Sequence, residues 1–267
     1  MHLSADRIAE FHASGFLRFP GLLSAGEVAV LKAELARLCE LQGAEVVRER
    51  TGTPRMVFRA HDPASATASP AFAALACLPR VLGPAQDVLG SDRLYVHHSK
   101  SNVKAAIDGT PYQWHQDYGY WIFDGIAAPT MATMMIMLDE ATEIGGCLYF
   151  LPGSHRYGRV EPEWDERTSS YGTWIVPKAR MLEAMAQCPP PVAITGQPGD
   201  GALFHCNLFH GSGHNLSANP RWHSYVAFNT VDNRARPVEK PRPEWVRGTD
   251  FTPLAVVADD AMLARAR

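Results

Sequence analysis

The stretch Trp114-His115-Gln116-Asp117 places an imidazole and a carboxylate two residues apart, beside aromatic neighbours. Because side chains alternate between the two faces of a β-strand, His115 and Asp117 are predicted to point to the same face. The stretch Phe209-His210-Gly211-Ser212 offers a second imidazole much later in the chain. Two imidazoles and one carboxylate leave half of an octahedral metal open, as non-haem Fe(II) oxygenases require. The sequence therefore predicts an iron site formed by His115, Asp117 and His210.

Three other histidines compete for the place of the third ligand, namely His205, His214 and His223. His210 is favoured because it follows a predicted strand at 201–206 and precedes small residues, which let the backbone approach a ligand closely. His205 is expected to be a strand residue that packs inside the barrel or just beyond the ligands. His214 and His223 are expected in loops or behind the ligands.

Arg221 is a candidate for binding a carboxylate. A planar guanidinium can donate two parallel hydrogen bonds to the far carboxylate of a dicarboxylic acid, a geometry that lysine cannot copy. The alternative is a surface arginine that pairs with Asp232 or Glu239. Spacing alone leaves both interpretations open.

Strands are predicted from Leu94 onward by short apolar or alternating runs separated by Gly, Pro and Asp turns. These runs are 94–103, 111–118, 131–138, 146–151, 192–195, 201–206 and 222–231. The sequence Pro198-Gly199-Asp200-Gly201 predicts a tight turn before one of them. Together these runs indicate a β-barrel.

Helices are predicted in the first third of the chain. Ser24-Ala25-Gly26-Glu27 has the form of a capping box, and apolar residues at helical spacing extend the predicted helix over 25–41. The other predictions for this part are a short helix at 8–11 ended by Ser14-Gly15, a strand at 16–19, and a helical pair at 69–89 broken at Pro79 and near Gly83-Pro84.

A single domain is expected over 1–267, with a helical part at about 1–90 and a β core at about 91–235. The segment 156–190 is long, polar and rich in Trp, Tyr, Pro and Glu. Over the mouth of a barrel, such a segment is more often a lid or a substrate loop than an inert connector.

Composition excludes several kinds of partner. A formal charge of -3 provides no basic field for nucleic acid or for an anionic membrane, so neither partner is predicted. The first residues do not resemble a signal peptide and no run could cross a bilayer, which predicts a cytoplasmic protein that acts on a small molecule. Five cysteines without a Cys-x-x-Cys pair predict reduced thiols. Oligomeric state is not indicated.

Taken in order, several motifs resemble the phytanoyl-CoA dioxygenase family of iron- and 2-oxoglutarate-dependent oxygenases, which includes bacterial ectoine and free amino-acid hydroxylases. These motifs are Gly15-Phe16 with the capped helix, the run from Tyr95 to Lys104, Trp114-His115-Gln116-Asp117, Gly145-Gly146, Leu151-Pro152-Gly153-Ser154-His155, His210-Gly211-Ser212 and Pro220-Arg221. Found together and in this order, the motifs are specific for the family. The resemblance implies a mainly β fold with flanking helices, in which a double-stranded β-helix forms a jelly-roll, cupin-like barrel.

The resemblance also implies a set of site residues. Fe(II) would be ligated by His115, Asp117 and His210. The distal carboxylate of 2-oxoglutarate, the co-substrate consumed with O2, would be held by Arg221 and Ser212, and further candidates for that pocket are Asn102, Tyr112 and Thr133.

Substrate-binding residues follow from the ectoine hydroxylase branch, whose matching positions line the substrate pocket. Those positions are His98, Trp121, Phe204, Tyr225 and Arg242, with barrel core expected for at least one of the three aromatic residues. The chain departs from that branch at His98, where an amide is expected, and at Lys100, where an arginine is expected, which argues against ectoine. Lys100 and Arg242 would suit an anionic or zwitterionic metabolite such as an amino acid or a phosphonate, although Lys100 could instead support the 2-oxoglutarate site.

The reaction implied is hydroxylation of an unactivated C–H bond with release of succinate and CO2. Asp117 favours hydroxylation because related halogenating enzymes carry a small residue in its place. Two other classes are open on the residues alone. One is a cupin-like metal oxygenase or isomerase that does not use 2-oxoglutarate, and the other is a non-catalytic barrel that binds a small ligand.

Overall fold

A computed structural model of the chain describes residues 1–107, 109–168 and 172–264. The helices are α1 (Ala5–Ser14), α2 (Ala25–Cys39), α3 (Pro70–Cys77), α4 (Pro79–Leu89), α5 (Asp117–Trp121), α6 (Lys178–Gln187) and α7 (Ala261–Ala264). The strands are β1 (Phe16–Phe19), β2 (Val46–Arg48), β3 (Pro54–Phe58), β4 (Leu94–Lys104), β5 (Tyr112–His115), β6 (Met131–Met137), β7 (Leu148–Phe150), β8 (Glu163–Asp165), β9 (Thr173–Ile175), β10 (Val192–Ile194), β11 (Gly201–His205), β12 (His210–Ser212) and β13 (Arg221–Thr230).

Two antiparallel sheets form the barrel. The larger has seven strands in the order β1-β11-β6-β13-β4-β3-β2, and the smaller has four in the order β10-β7-β12-β5. Strands distant in sequence pair within each sheet, as in the jelly-roll architecture. The predicted fold class, a mainly β double-stranded β-helix with flanking helices, is confirmed.

The strand β6 shows how the larger sheet is covered on both faces. All seven of its residues are buried. Met134 and Ile136 pack in the cluster formed with the N-terminal helices, whereas Met135 and Met137 pack between the sheets. A strand that is apolar on both faces reads as a continuous hydrophobic run, because neither face meets water.

The start of α2 and the end of α1 are as predicted, although α1 begins earlier than predicted, at Ala5, and α2 ends earlier, at Cys39. The Ser24 hydroxyl accepts a hydrogen bond from the Glu27 amide, and the Glu27 carboxylate accepts one from the Ser24 amide at 2.9 Å, so the capping box that begins α2 is confirmed. Gly15 ends α1 with a φ of 87°, a conformation that glycine adopts without strain. The turn at Gly199, with a φ of 96°, is also as predicted.

Two predicted boundaries are wrong. Helix α4 does not break at Gly83-Pro84 but continues to Leu89, because Pro84 is buried in the helical layer and its packing outweighs the missing amide hydrogen bond. The predicted strand at 111–118 ends at His115, and Asp117 begins α5 instead. The Tyr118 amide donates to the Cys206 carbonyl at 3.0 Å, which turns the chain out of the sheet.

The part of the chain expected to be helical also contributes three strands, β1, β2 and β3, to the larger sheet. The segment 156–190 contains a hairpin of β8 and β9 and the helix α6. Residues 169–171 of that segment, like 108 and 265–267, lie outside the described residues. Among the helices that are described, none is long and apolar enough to cross a bilayer.

Candidate active site

Three predicted ligands meet between the sheets. His115 ends β5, Asp117 begins α5, and His210 begins β12, which pairs with β5 so that His210 lies opposite His115. One ligand atom from each residue lies within 4.8 Å of the others, and all three residues are buried. Within the described part of the chain, this is the single cluster of His, Cys, Asp or Glu with that geometry.

Backbone carbonyls fix which imidazole nitrogen can bind a metal. His115 Nδ1 lies 2.7 Å from the Gln113 carbonyl oxygen, and His210 Nδ1 lies 2.9 Å from that of Leu208. A carbonyl only accepts, so each Nδ1 carries the proton and each Nε2 keeps its lone pair. Burial lowers the pKa of both imidazoles, that of His115 well below its usual value, so both are neutral as metal ligands must be.

Asp117 supplies the single negative charge of this cluster. Its Oδ1 lies 3.8 Å from His210 Nε2, and its Oδ2 accepts a hydrogen bond from the Thr133 hydroxyl at 3.3 Å. Thr133, predicted in the co-substrate pocket, therefore orients the carboxylate of a predicted metal ligand. Two neutral imidazoles and one carboxylate fit a ferrous ion with open coordination positions.

Arg221 is buried, with 1 % of its surface exposed, which rules out the surface pairing considered above. Asp232 instead lies near Arg93 at 3.5 Å. Arg221 Nη1 lies 2.7 Å from His223 Nδ1, and Arg221 Nε has no hydrogen-bond partner among the described residues. A buried guanidinium rarely lacks a carboxylate partner. Where it does, the arrangement indicates a site for an anionic ligand.

Lys104 is a residue of this pocket that the sequence reasoning did not single out. It lies opposite Arg221 in the β4–β13 pair, and its ammonium donates to the Ser212 hydroxyl at 3.1 Å and to the Gly213 carbonyl. Burial, with Arg221 and Arg55 nearby, lowers the pKa of Lys104 to about 6. The signal that could have identified it is a lysine directly after the predicted strand 94–103.

Further polar atoms without partners lie in the same region. The Asn102 side-chain oxygen and the Tyr112 hydroxyl are buried and make no hydrogen bond within the described residues. The Tyr112 ring has three cations nearby, with the Arg55 guanidinium 4.6 Å, the Lys104 ammonium 5.7 Å and the Lys100 ammonium 5.8 Å from its centre. Basic groups and unpaired polar atoms together fit a dicarboxylate such as 2-oxoglutarate.

A cavity of about 250 Å³ opens onto the predicted metal ligands His115 and Asp117. Of the residues predicted to bind substrate, those that line it are His98, Lys100, Trp121 and Arg242. The other two, Phe204 and Tyr225, lie deeper, in the space around His210 and Ser212. The Phe204 ring centre is 4.9 Å from that of His210, so Phe204 packs directly on a predicted metal ligand.

Arg242 is held by a carboxylate that sequence reasoning did not find. Its Nε and Nη2 donate to Asp124, Nη2 at 2.6 Å from Oδ2. His97 Nε2 lies 3.2 Å from the same oxygen. Arg242 and His97 hold the pKa of Asp124 below its usual value despite burial, which raises it. Asp124 thus balances the charge of Arg242 at the cavity.

Tryptophans form the outer wall of the cavity. Trp164 and Trp174 face each other across the β8–β9 hairpin with ring centres 5.2 Å apart, and Trp245 joins them. The Tyr120 hydroxyl accepts a hydrogen bond from the Trp174 amide at 2.8 Å, which ties this hairpin to α5. The segment predicted as a lid or substrate loop therefore contributes the side chains of Trp164, Thr173 and Trp174 to the cavity.

Comparison with known proteins places the chain in a family. The model of the phytanoyl-CoA dioxygenase family matches residues 11–222. The ectoine dioxygenase of Sphingopyxis alaskensis is 34% identical over 255 residues, which cover 90% of this chain and 81% of that protein. The ectoine dioxygenase of Nocardia farcinica is 32% identical over 266 residues, covering 94% and 87%.

The structural comparison agrees. The crystal structure of EctD from S. alaskensis with 2-oxoglutarate and 5-hydroxyectoine superposes with a TM-score of 0.81 at 30% identity, covering 96% of this chain and 87% of that one. The cluster of two histidines and one aspartate, the basic pocket and these similarities all indicate the same kind of enzyme. The chain belongs to the phytanoyl-CoA dioxygenase family, and it is a 2-oxoglutarate-dependent non-haem iron dioxygenase.

Proposed function

We propose that the protein hydroxylates an unactivated C–H bond of a small anionic or zwitterionic metabolite, with amino acids as the leading class. When bound, Fe(II) and 2-oxoglutarate would supply the oxidising chemistry with O2, and 2-oxoglutarate would be converted to succinate and CO2. His115, Asp117 and His210 would hold the metal, and Arg221, Lys104 and Ser212 would hold the distal carboxylate of the co-substrate. The observation that carries the substrate class is the placement of Lys100 on the cavity beside Asp117.

Lys100 is the basic side chain best placed for a substrate carboxylate. Its ammonium lies over the rings of Tyr112 and Tyr225, at 5.8 and 5.6 Å, and it lines both the cavity and the deeper space around His210. Burial lowers its pKa, and Asp117 opposes that shift. An anionic group on the ligand would stabilise the ammonium further, because opposite charges attract strongly in a buried site.

The rest of the cavity favours a ligand with an apolar body. Trp121, Trp164, Trp174 and Trp245 supply flat apolar surface, which excludes water and packs well against hydrocarbon. Arg242 is already paired with Asp124, so its attraction for a second carboxylate is weaker than that of Lys100. A zwitterion with one carboxylate and a hydrocarbon portion matches this distribution.

The relatives named above act on ectoine, which is itself a small zwitterion, so ectoine belongs in any test. His98 and Lys100 stand where the ectoine branch has an amide and an arginine. His98 Nδ1 is bound to the Val246 carbonyl at 2.6 Å, which leaves one ring nitrogen for the cavity. These two departures support a substrate other than ectoine.

A substrate screen tests the proposal. Iron-loaded protein with 2-oxoglutarate and O2 would be given amino acids, ectoine, betaines and phosphonates, alongside neutral amides of the same compounds. Succinate formation and the gain of one oxygen atom by the compound would be measured. We expect turnover with carboxylates, lost in Lys100→Met and largely kept in Lys100→Arg. Preference for the neutral amides, or unchanged turnover in Lys100→Met, would contradict the proposed substrate class.

A further inference from the structure

Strand β13 carries three polar side chains at alternate positions, so that they share one face of the sheet. Arg221, His223 and Tyr225 are all buried. Arg221 Nη1 lies 2.7 Å and the Tyr225 hydroxyl 3.4 Å from the same atom, His223 Nδ1. His223 Nδ1 therefore lies within hydrogen-bonding distance of two neighbouring side chains on its own strand.

The partners of His223 determine its protonation state. A guanidinium has only donors, so His223 Nδ1 must accept and the ring proton lies on Nε2. Burial lowers the pKa of His223 well below its usual value, and Arg221 and Lys104 lower it further. The ring is therefore neutral, because a proton on Nδ1 would remove the acceptor and add a positive charge beside two basic side chains.

Within the described residues, His223 Nδ1 accepts a hydrogen bond from the Arg221 guanidinium at 2.7 Å. Arg221 Nε has no hydrogen-bond partner within the described residues, so the short contact of Nη1 with His223 Nδ1 helps to fix the orientation of the guanidinium. We propose that His223 is a positioning residue, which holds Arg221 in the orientation that receives the distal carboxylate of 2-oxoglutarate. The inference rests on the proposed role of Arg221 and goes beyond it.

The test compares variants at position 223. His223→Leu removes the acceptor, His223→Phe removes it while keeping a planar ring, and His223→Asn restores an acceptor in the form of an amide oxygen. His214→Leu makes the same chemical change at an exposed histidine and is the control. Arg221→Ala tests the co-substrate site itself.

Two readouts separate positioning from a loss of structure. Calorimetric titration of 2-oxoglutarate into anaerobic Fe(II)-loaded protein gives its dissociation constant without turnover. Steady-state assays give kcat and the KM for 2-oxoglutarate. We expect His223→Leu and His223→Phe to raise both constants about tenfold, the effect of one hydrogen bond to a charged group, with kcat at saturation within about twofold of the parent. His223→Asn should recover most of the affinity, and His214→Leu should match the parent.

The outcomes are distinguishable. If Arg221→Ala weakens 2-oxoglutarate binding while His223→Leu and His223→Phe do not, His223 does not position Arg221. The same conclusion follows if His223→Asn binds as weakly as His223→Leu. If Arg221→Ala leaves the dissociation constant unchanged, the proposed co-substrate site is wrong and the inference falls with it. Should His223→Leu fail to fold, the comparison of His223→Phe with His223→Asn decides.

Discussion

Arg221 lies directly opposite Lys104 in the antiparallel pair of β13 and β4, so two buried basic side chains stand side by side. Within the described residues, neither donates a hydrogen bond to a carboxylate. Keeping both side chains charged is costly unless an anion joins them, because buried charges require a partner, and burial already lowers the pKa of Lys104 to about 6. The pair of Arg221 and Lys104 therefore favours a ligand that carries a carboxylate at this end of the site.

Arg221→Ala should raise the KM for 2-oxoglutarate by roughly 10- to 100-fold, because one charge-assisted contact contributes about 1.5–3 kcal/mol. Initial rates at varied 2-oxoglutarate would measure the change. Arg93→Ala, which removes an exposed arginine paired with Asp232, is the control and should leave the KM unaltered. An unchanged KM in Arg221→Ala would remove this residue from the co-substrate site.

His210→Ala should abolish iron binding and turnover, because it removes one of three ligand atoms that converge within 4.8 Å. Iron content per chain after anaerobic loading would measure the loss. His205→Ala is the matched control, since the His205 ring packs near His155 with ring centres 5.2 Å apart and is not part of the cluster. Full iron content in His210→Ala would mean that another histidine is the ligand.

Asp124→Asn should lower the free energy of unfolding by roughly 3 kcal/mol or more, because it leaves a partly buried guanidinium without its counter-charge. Both Asp124 and His97 are inaccessible to solvent, and Arg242 donates to Asp124 through two nitrogens. Urea unfolding would measure the change. Glu183→Gln, at an exposed pair with Arg180, should cost less than about 1 kcal/mol. Equal effects of the two substitutions would contradict this account of Asp124.

Acid should destabilise the protein well before its carboxylates titrate. Burial lowers the pKa of His61 to about 4 and that of His205 to about 4. Between the ordinary histidine pKa of about 6.5 and these lowered values, the two histidines bind protons in the unfolded chain but not in the native state. The free energy of unfolding therefore falls as the pH falls through this range. Each histidine can remove up to roughly 3 kcal/mol.

Urea unfolding at several values between about pH 7.5 and 4.5 would measure this dependence. His61→Gln, which cannot take up a proton, should give a shallower decline than the parent over the same range. A parent whose stability does not change between these values, or a variant with an unaltered slope, would contradict the lowered pKa of His61.

The candidate metal ligands could be predicted from the sequence more completely than the residues around them. His115, Asp117 and His210 were identifiable because metal ligation restricts residue type and spacing. The strand assumed for Asp117 was wrong, because the turn after His115 depends on Cys206, a residue far along the chain. The backbone stays extended as far as Gln116, so side chains still alternate between the two faces up to that residue. Asp117 therefore lies beside the two imidazoles although it is the first residue of α5.

Residues whose role depends on long-range pairing were not predictable. Lys104 and Arg55 lie near Arg221 and Tyr112, in the proposed co-substrate pocket, only because β4 pairs with β13 and β3 pairs with β4. Strand β3 begins Pro54-Arg55, which interrupts an apolar pattern, and β12 has three residues, too few for any periodicity to appear. Asp124 was missed because nothing local marks a carboxylate as the partner of Arg242.

One measurement tests the central claim most directly. Anaerobic protein loaded with Fe(II) and 2-oxoglutarate would be exposed to O2, and succinate would be quantified against His210→Ala treated identically. The account predicts succinate from the parent protein, slowly without substrate and faster with one, and none from His210→Ala. A parent protein that binds iron and 2-oxoglutarate but releases no succinate with any compound of the screen would contradict it.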